Sequence, residues 1–383
     1  MSTIIYLDNN ATTPLDPEVL EAMLPFLREH FGNAASPHAA GRAAREAVER
    51  ARQSVAALIG AREGRIVFTG SATEANNLAV LGLAAGAGRP CRVVTTTIEH
   101  KSVLEPVKHL ERSGGARVAW LPPDAFGQVH PDALEAALAD DTRLVSIMAA
   151  SNVIHTLNPI AALARVCSGR PVLFHTDATQ IVGRLPIDVD RVGIDMLSLS
   201  AHKLYGPKGV GALYLSRRAL QAGIVPQVLG GGQEEGLRSG TLNVPAIVGL
   251  GAACDLASRR QEADAARARE LARVFLDGLT KRLEGVTLNG HPQERIPGGV
   301  HVTLDGVDSK GLIASVPEVA FSDASACETD RDPDYVLKAI GKPAAAHHSL
   351  RFQIGRTNTR AEIEAAVELL AAGVKRMRAF GFG

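Results

Sequence analysis

A chain of 383 residues holds two or three domains of about 150 residues each, so a core large enough to enclose a cofactor is available and a small stapled scaffold is excluded. Hydrophobic residues make up 46% and charged residues 21%, with 41 Lys and Arg against 41 Asp and Glu; this neutral balance leaves no footprint for nucleic acid. The four cysteines, Cys91, Cys167, Cys254 and Cys327, lie far apart with no CxxC pair, which argues against a zinc ribbon or a disulfide framework and suits a reducing compartment.

Residues 1–10 carry no basic cluster ahead of an apolar stretch, and Asp8 interrupts the short apolar run there, so no secretory signal is expected. Nowhere do about eighteen apolar residues follow one another, so no membrane span is expected either, and the chain reads as cytoplasmic. Over residues 41–59, Ala44, Ala47, Val48, Ala51, Val55, Leu58 and Ile59 fall at helical spacing and Gly60 closes the run. Short β-rich runs follow at 65–69, 92–98, 116–121, 143–149, 171–175 and 195–200, with helical patterns between most of them. Such alternation argues a parallel or mixed sheet wrapped by helices. A polar helix over 256–284 and the turn Asn289-Gly290-His291-Pro292 mark a boundary. Beyond it, strands at 299–304, 319–322 and 350–354 with a helix over 360–377 read as a smaller α+β domain.

In open α/β sheets ligands collect at the carboxyl ends of the strands, and four such ends carry reactive groups. Thr69-Gly70-Ser71-Ala72-Thr73-Glu74 leads into a helix over 75–83; it is a helix cap by itself and a phosphate cradle in company. Glu99-His100-Lys101 places an imidazole on a loop, either solvated or ready for acid/base work and ring stacking. His175-Thr176-Asp177-Ala178-Thr179-Gln180 offers a carboxylate, or a second cap. Ser200-Ala201-His202-Lys203-Leu204-Tyr205-Gly206-Pro207-Lys208-Gly209 puts a lysine after small polar groups, which packing does not require. Together these ends supply what a pyridoxal phosphate site demands: a phosphate cradle, a stacking group, an acid for the pyridine nitrogen and a lysine for the aldehyde. No metal is called for.

The residues resemble, from Tyr6 to about Met377, the cysteine desulfurases, which are class V, fold-type I pyridoxal phosphate enzymes. The resemblance rests on Tyr6-Leu7-Asp8-Asn9-Asn10-Ala11-Thr12-Thr13-Pro14, on 70–77, Glu99-His100-Lys101, 177–180, 200–209, Arg238-Ser239-Gly240-Thr241-Leu242, Ser325-Ala326-Cys327 and Arg351. It implies an α/β fold of the fold-type I transferases: a large cofactor domain (16–255) around a mainly parallel, seven-stranded-type sheet, and a small domain (1–15 and 256–383) carrying Cys327 and Arg351. It also implies that Asp177 pairs with the ring nitrogen, Gln180 and Asn152 with the ring-hydroxyl side, and Ala72, Thr73, Ser200, His202 and Thr241 with phosphate. His100 would lie over the ring, Lys203 would hold the cofactor, and Asn152 with Arg351 would take the substrate, Arg351 clamping its carboxylate.

Cys327 separates this family from plain aminotransferases; by resemblance it takes sulfur from L-cysteine as a persulfide, leaving L-alanine, and passes it to an acceptor protein, an iron-sulfur scaffold or sulfur carrier. Its neighbours Asp323, Glu328, Asp330, Asp332 and Asp334, opposed by Arg331 alone, favour an exposed thiol whose ionisation like charge resists. Cys91, Cys167 and Cys254 have apolar or helical contexts and read as inert. A homodimer is implied, with 230–241 reaching the neighbouring subunit. Two departures stand out. Ser151-Asn152-Val153-Ile154-His155 lacks the Glu and Gly of the family's Asn-Asn-Glu-(Ile or Thr)-Gly, and Glu235 stands where the family has Arg. The alternatives left open are a selenocysteine lyase or other class V enzyme that does not need Cys327, and a weakened cofactor-binding scaffold for partner proteins.

Overall fold

The computed structural model describes residues 4–87, 90–323 and 335–379. Seven strands form one sheet in the order Arg65–Thr69, Gly211–Leu215, Met196–Ser200, Leu173–Asp177, Thr142–Ser146, Cys91–Thr96, Ala116–Leu121. Gly211–Leu215 runs against both of its neighbours, while the other four pairings are parallel. The carboxyl ends of six strands therefore share one edge. Central strands such as Met196–Ser200 are buried at every residue, as strands covered by helices on both faces must be.

A second sheet is antiparallel throughout, in the order Ser322–Asp323, Ser349–Gln353, Gly299–Leu304, Val286–Leu288. Between the sheets runs the N-terminal segment. Ile5–Tyr6 pairs in parallel with Val319–Ala320, Gln353 N–H donates to Leu7 O at 2.7 Å, and Thr13 N–H donates to His202 O at 2.9 Å. Thus 319–322, expected as one strand, is two short strands divided at Phe321, each pairing with a different neighbour.

The long helix spans Val244–Arg282 and not 256–284. Gly249 and Gly251, inside its first turns, permit close helix packing. A Cβ on Gly249 would lie 2.6 Å from Met23 Sδ, and one on Gly251 would lie 2.7 Å from Ala51 Cα, so Pro17–Arg28 and Ala39–Leu58 seat directly on it. Leu250, Ala253 and Cys254 join the core beneath the seven-stranded sheet, and Leu271, Phe275 and Leu279 join the core of the second sheet. One helix therefore serves both cores. The helix expected over 75–83 begins at Ala72 and passes through a π-helical turn at Leu78–Gly82, and the strand expected at 171–175 is Leu173–Asp177.

Two packing features have measurable consequences. A Cβ on Gly211 would meet Leu199 O and Ser71 C at 2.7 Å and Ala72 N at 2.9 Å, all main-chain atoms that cannot swing aside. Gly211→Ala should lower the urea midpoint by about 1–3 kcal/mol of stability at unchanged slope. Glu99 is fully buried, with Oε1 accepting from Met148 N–H at 2.6 Å; burial, with Asp177 adding like charge, raises its pKa well above the usual carboxylate range. Because the folded chain holds this proton more tightly than the unfolded one, the contribution is fully present below about pH 4.3 and is lost as pH rises through the folded value. Glu99→Gln should therefore gain stability over the parent as pH rises from about 4.3 toward neutrality, read from paired urea unfolding curves.

Candidate active site

Lys203 ends the single turn Ala201–Lys203 that follows strand Met196–Ser200. Its Nζ donates to Asn10 O and, at 2.8 Å, to Ala11 O. The next residue but one, Tyr205, sits at φ +65°, a conformation that costs a non-glycine residue about 1–3 kcal/mol and needs outside support. The support is visible: Tyr205 N–H donates to Thr13 Oγ1 at 2.8 Å, its hydroxyl accepts from Arg356 N–H at 2.5 Å, and the Arg356 guanidinium lies 4.2 Å from its ring centre. Lys208, beyond the Gly-Pro turn, is exposed.

Asp177 ends strand Leu173–Asp177 and is buried. Its Oδ1 accepts from Thr179 N–H at 3.0 Å and its Oδ2 from Asn76 Nδ2 at 2.7 Å, so it caps its own turn and faces a second element at once. Asn76 Nδ2 also donates to Ser102 Oγ at 2.8 Å. His100 is not a solvated loop residue. It caps helix Lys101–Arg112, with Nδ1 accepting from Ser102 N–H at 3.1 Å. Burial lowers its pKa; Asp177 opposes that, and Lys203 and Lys101 add to it.

Arg351 projects from strand Ser349–Gln353. One Nη donates to Asn152 O at 3.2 Å and the other reaches Asp8 Oδ1 at 3.3 Å. Asn10 Nδ2 donates to the same Asn152 carbonyl at 2.8 Å, and Gln180 Nε2 donates to Asn10 O at 3.4 Å. Asn10 thereby touches Lys203, Asn152 and Gln180. Arg184 completes the cluster: it is enclosed, with Nη1 on Asn10 Oδ1 at 3.0 Å and Gln180 Oε1 at 3.2 Å, and Nη2 on Asn9 O at 2.8 Å. Burial pulls its pKa down to about 10. The sequence reading missed Asn10, Asn76 and Arg184 as site residues. The two asparagines lay inside quoted motifs; the only signal for Arg184 was its place four residues after Gln180.

His155 fills space. Its ring is fully buried at φ +65°, where a Cβ on Gly299 would collide with it. Neither ring nitrogen has a partner among the described residues, and burial, with Arg295, His301, Arg351 and Arg184 adding positive charge, pushes its pKa far down. On the opposite flank Ser71 caps helix Ala72–Asn77, Ser200 Oγ donates to Val210 O at 3.5 Å, and His202 Nδ1 lies 3.2 Å from Thr12 Oγ1. Burial, then Lys203, Lys208 and Arg184, take His202 down to about 4. Ala72 is buried, while Thr73 and Thr241 are exposed. Glu234 and Glu235 both have positive φ; Glu234 pairs with Arg52 at 2.9 Å and Glu235 with Arg65 at 2.5 Å, so the anion at 235 has a local cation of its own. Cys327 lies outside the described residues. Cys91, Cys167 and Cys254 are buried free thiols, and burial raises all three, Cys167 to about 12.

Comparison with known proteins places the chain in a family. The class-V aminotransferase family model matches residues 5–366. The mouse protein named cysteine desulfurase is 46% identical over 384 aligned residues, spanning 98% of this chain and 82% of its own length. The protein named cysteine desulfurase IscS from Anaeromyxobacter sp. strain K is 45% identical, spanning 99% of this chain and 94% of its own. Among solved structures, one titled NifS-like protein superposes with a TM-score of 0.90 at 33% identity over 98% of this chain and 100% of that one. Another, titled SspA in complex with cysteine, gives 0.80 at 35% identity over 93% and 100%. The chain belongs to the class-V aminotransferase family of pyridoxal phosphate-dependent enzymes, among its cysteine desulfurases.

Proposed function

We propose that the protein converts L-cysteine to L-alanine, holding the released sulfur as a persulfide on Cys327 and passing it to an acceptor protein. The observation that carries this is the convergence of Lys203, Asn152, Gln180 and Arg351 on one N-terminal segment through Asn10 and Asp8, with Asp177 and Lys203 both acting on His100. The donor set fits pyridoxal phosphate. A primary amine, a buried carboxylate, a flat imidazole and a capped helix start stand at one sheet edge, and Asn152 Oδ1 is a buried acceptor with no partner among the described residues. When bound, the cofactor supplies an aldehyde for the substrate amine and a ring that withdraws electrons from bonds at the substrate carbons.

In this reading the residues divide the work. Asp177, anchored by Asn76 and Thr179, holds a negative charge toward the pyridine nitrogen. Gln180 and Asn152 would face the ring-hydroxyl side, His100 would lie over the ring, and Ala72, Thr73, Ser200 and His202 would take the phosphate with Thr241 from a second subunit. Lys203 would hold the cofactor and could move a proton at Nζ. Arg351 exchanges Asp8 for the substrate carboxylate. Residues 1–15 and 256–383 form the small domain around this task and 16–255 the large one. A homodimer is supported by large apolar side chains left on the surface, Phe31 at 86% and Leu229 at 80% exposure. The acceptor is an iron-sulfur scaffold or a sulfur carrier. No described helix is long and apolar enough to cross a membrane, and buried free thiols suit a reducing cytoplasm.

Incubation with L-cysteine and reductant should yield alanine and sulfide in equal amounts. Lys203→Ala should reduce the rate by about 10²–10⁴-fold, and Cys327→Ser should abolish protein-bound persulfide in a single turnover; alanine formation undiminished in Cys327→Ser would favour a lyase that does not need this thiol. Arg351→Ala should raise KM for L-cysteine about 10- to 150-fold, the equivalent of one charged hydrogen-bond pair, with a smaller change in kcat.

A further inference from the structure

The hydrogen bonds around His100 have a direction, and that direction limits what the ring can do. A main-chain N–H can only donate, so the contact from Ser102 N–H to His100 Nδ1 at 3.1 Å makes Nδ1 an acceptor, which requires it to carry no proton. Ser102 Oγ stands 2.7 Å from the same nitrogen and itself accepts from Asn76 Nδ2 at 2.8 Å. With its oxygen receiving that N–H, the hydroxyl is free to turn its own hydrogen onto Nδ1. The second hydrogen of the Asn76 amide goes to Asp177 Oδ2 at 2.7 Å. Every donor in the chain from Asn76 to Ser102 to His100 points the same way.

We propose that Ser102 and Asn76 are positioning residues that fix His100 as the neutral tautomer protonated at Nε2, so that the ring meets the reaction as a proton donor and Lys203 is left as the group that takes up protons. The inference rests on the proposed L-cysteine reaction and deepens it. The chain cannot work as a proton wire, because it ends at an amide, whose N–H groups donate hydrogen bonds but do not give up protons at ordinary pH. Nor can Nδ1 act as the base without losing the Ser102 N–H contact and reversing the Ser102 hydroxyl one. His100 also caps the start of helix Lys101–Arg112, where the macrodipole disfavours a cation. Asp177 across the site, Lys203 from its turn and Lys101 on its own helix are the charged groups that act on it; the two lysines and burial favour the neutral ring, and Asp177 opposes them.

Asn76 has a second consequence. Its single amide group holds the carboxylate expected to face the pyridine nitrogen and, through Ser102, the imidazole expected to lie over the ring. The π-helical turn Leu78–Gly82 begins two residues later, and such turns interrupt the regular helical register. The register of this helix therefore bears on both groups together.

Long-range proton–nitrogen correlation spectra of the holoenzyme labelled with ¹⁵N-histidine test the proposal, with His100 identified by the signal lost in His100→Gln. The expected wild-type result is the Nε2–H tautomer near neutral pH. In Ser102→Ala the His100 titration should rise by about half to one pH unit, the equivalent of one neutral hydrogen bond, and Ser102→Thr should restore it. A wild-type Nδ1–H tautomer, or a titration unmoved in Ser102→Ala, overturns the proposal; the wild-type spectrum decides alone should Ser102→Ala fail to fold. Alanine release, measured on the same samples, judges the proposed reaction separately, since the tautomer is read without turnover.

Discussion

A guanidinium enclosed by protein, with no carboxylate against it among the described residues, is a costly thing to fold around, and the rest of the site is arranged about Arg184. A buried charge is tolerated only when its donors are satisfied. Here they go to Asn9 O, Asn10 Oδ1 and Gln180 Oε1, with Lys203 O at 3.5 Å. Meeting that demand draws the N-terminal segment across the carboxyl edge of the seven-stranded sheet and ties it to the turns that follow two different strands. The depressed pKa, about 10, records the cost of burial. Without the segment Arg184 would keep only Gln180 Oε1 and the more distant Lys203 O, and without Arg184 the segment would lose the donors to Asn9 O and Asn10 Oδ1.

The segment so held couples the two sheets. Leu7 is packed into the core of the second sheet, while Thr13 accepts from Tyr205 N–H and donates through its own N–H to His202 O. A second buried guanidinium, Arg356, extends the clamp: it pairs with Asp16 at 3.0 Å and with Asp264 at 2.6 Å while covering the Tyr205 ring. The strained Tyr205 backbone is thus over-determined from three sides, and Lys203 two residues before it inherits a fixed main chain. Placing a reactive amine on a short turn of this kind leaves the side chain room to move while its Cα stays in position, as a lysine that is bound and then released requires.

Much of this was legible in the sequence, and the reasons are local. The strand ends at Thr69, Asp177 and Ser200 carried polar residues where packing asked for apolar ones, and the structure puts all three on the shared edge. What escaped notice depends on partners distant in sequence. Arg184 looks like any surface arginine until Asn9 and Asn10 arrive from about 175 positions away. The value of Gly249 and Gly251 lies in Met23 and Ala51 on other helices. His155 stood out as part of a departure from the family motif, and its ring has no hydrogen-bond partner among the described residues and lies over a glycine that cannot carry a side chain. The identity of a residue says what it can do, whereas only its surroundings say whether it is given the chance.

Four histidines near the site, His100, His155, His202 and His301, are all pushed toward the neutral form, and in each case burial is the largest cause, with surrounding cations adding to it. The cations that act on them include Lys203, Arg184, Arg295 and Arg351, from four separate segments of the chain. Neutral imidazoles let these positive charges stand close together, because an imidazolium among them would add repulsion without adding a useful donor. The fixed positive charge of the site is then carried by guanidinium groups, and it has the sign that a phosphate and a substrate carboxylate require. On this view the histidines contribute shape, flat surface and directed hydrogen bonds. The arginines carry the fixed charge, which is why the tautomer of a ring such as His100 bears on its role more than its protonation does.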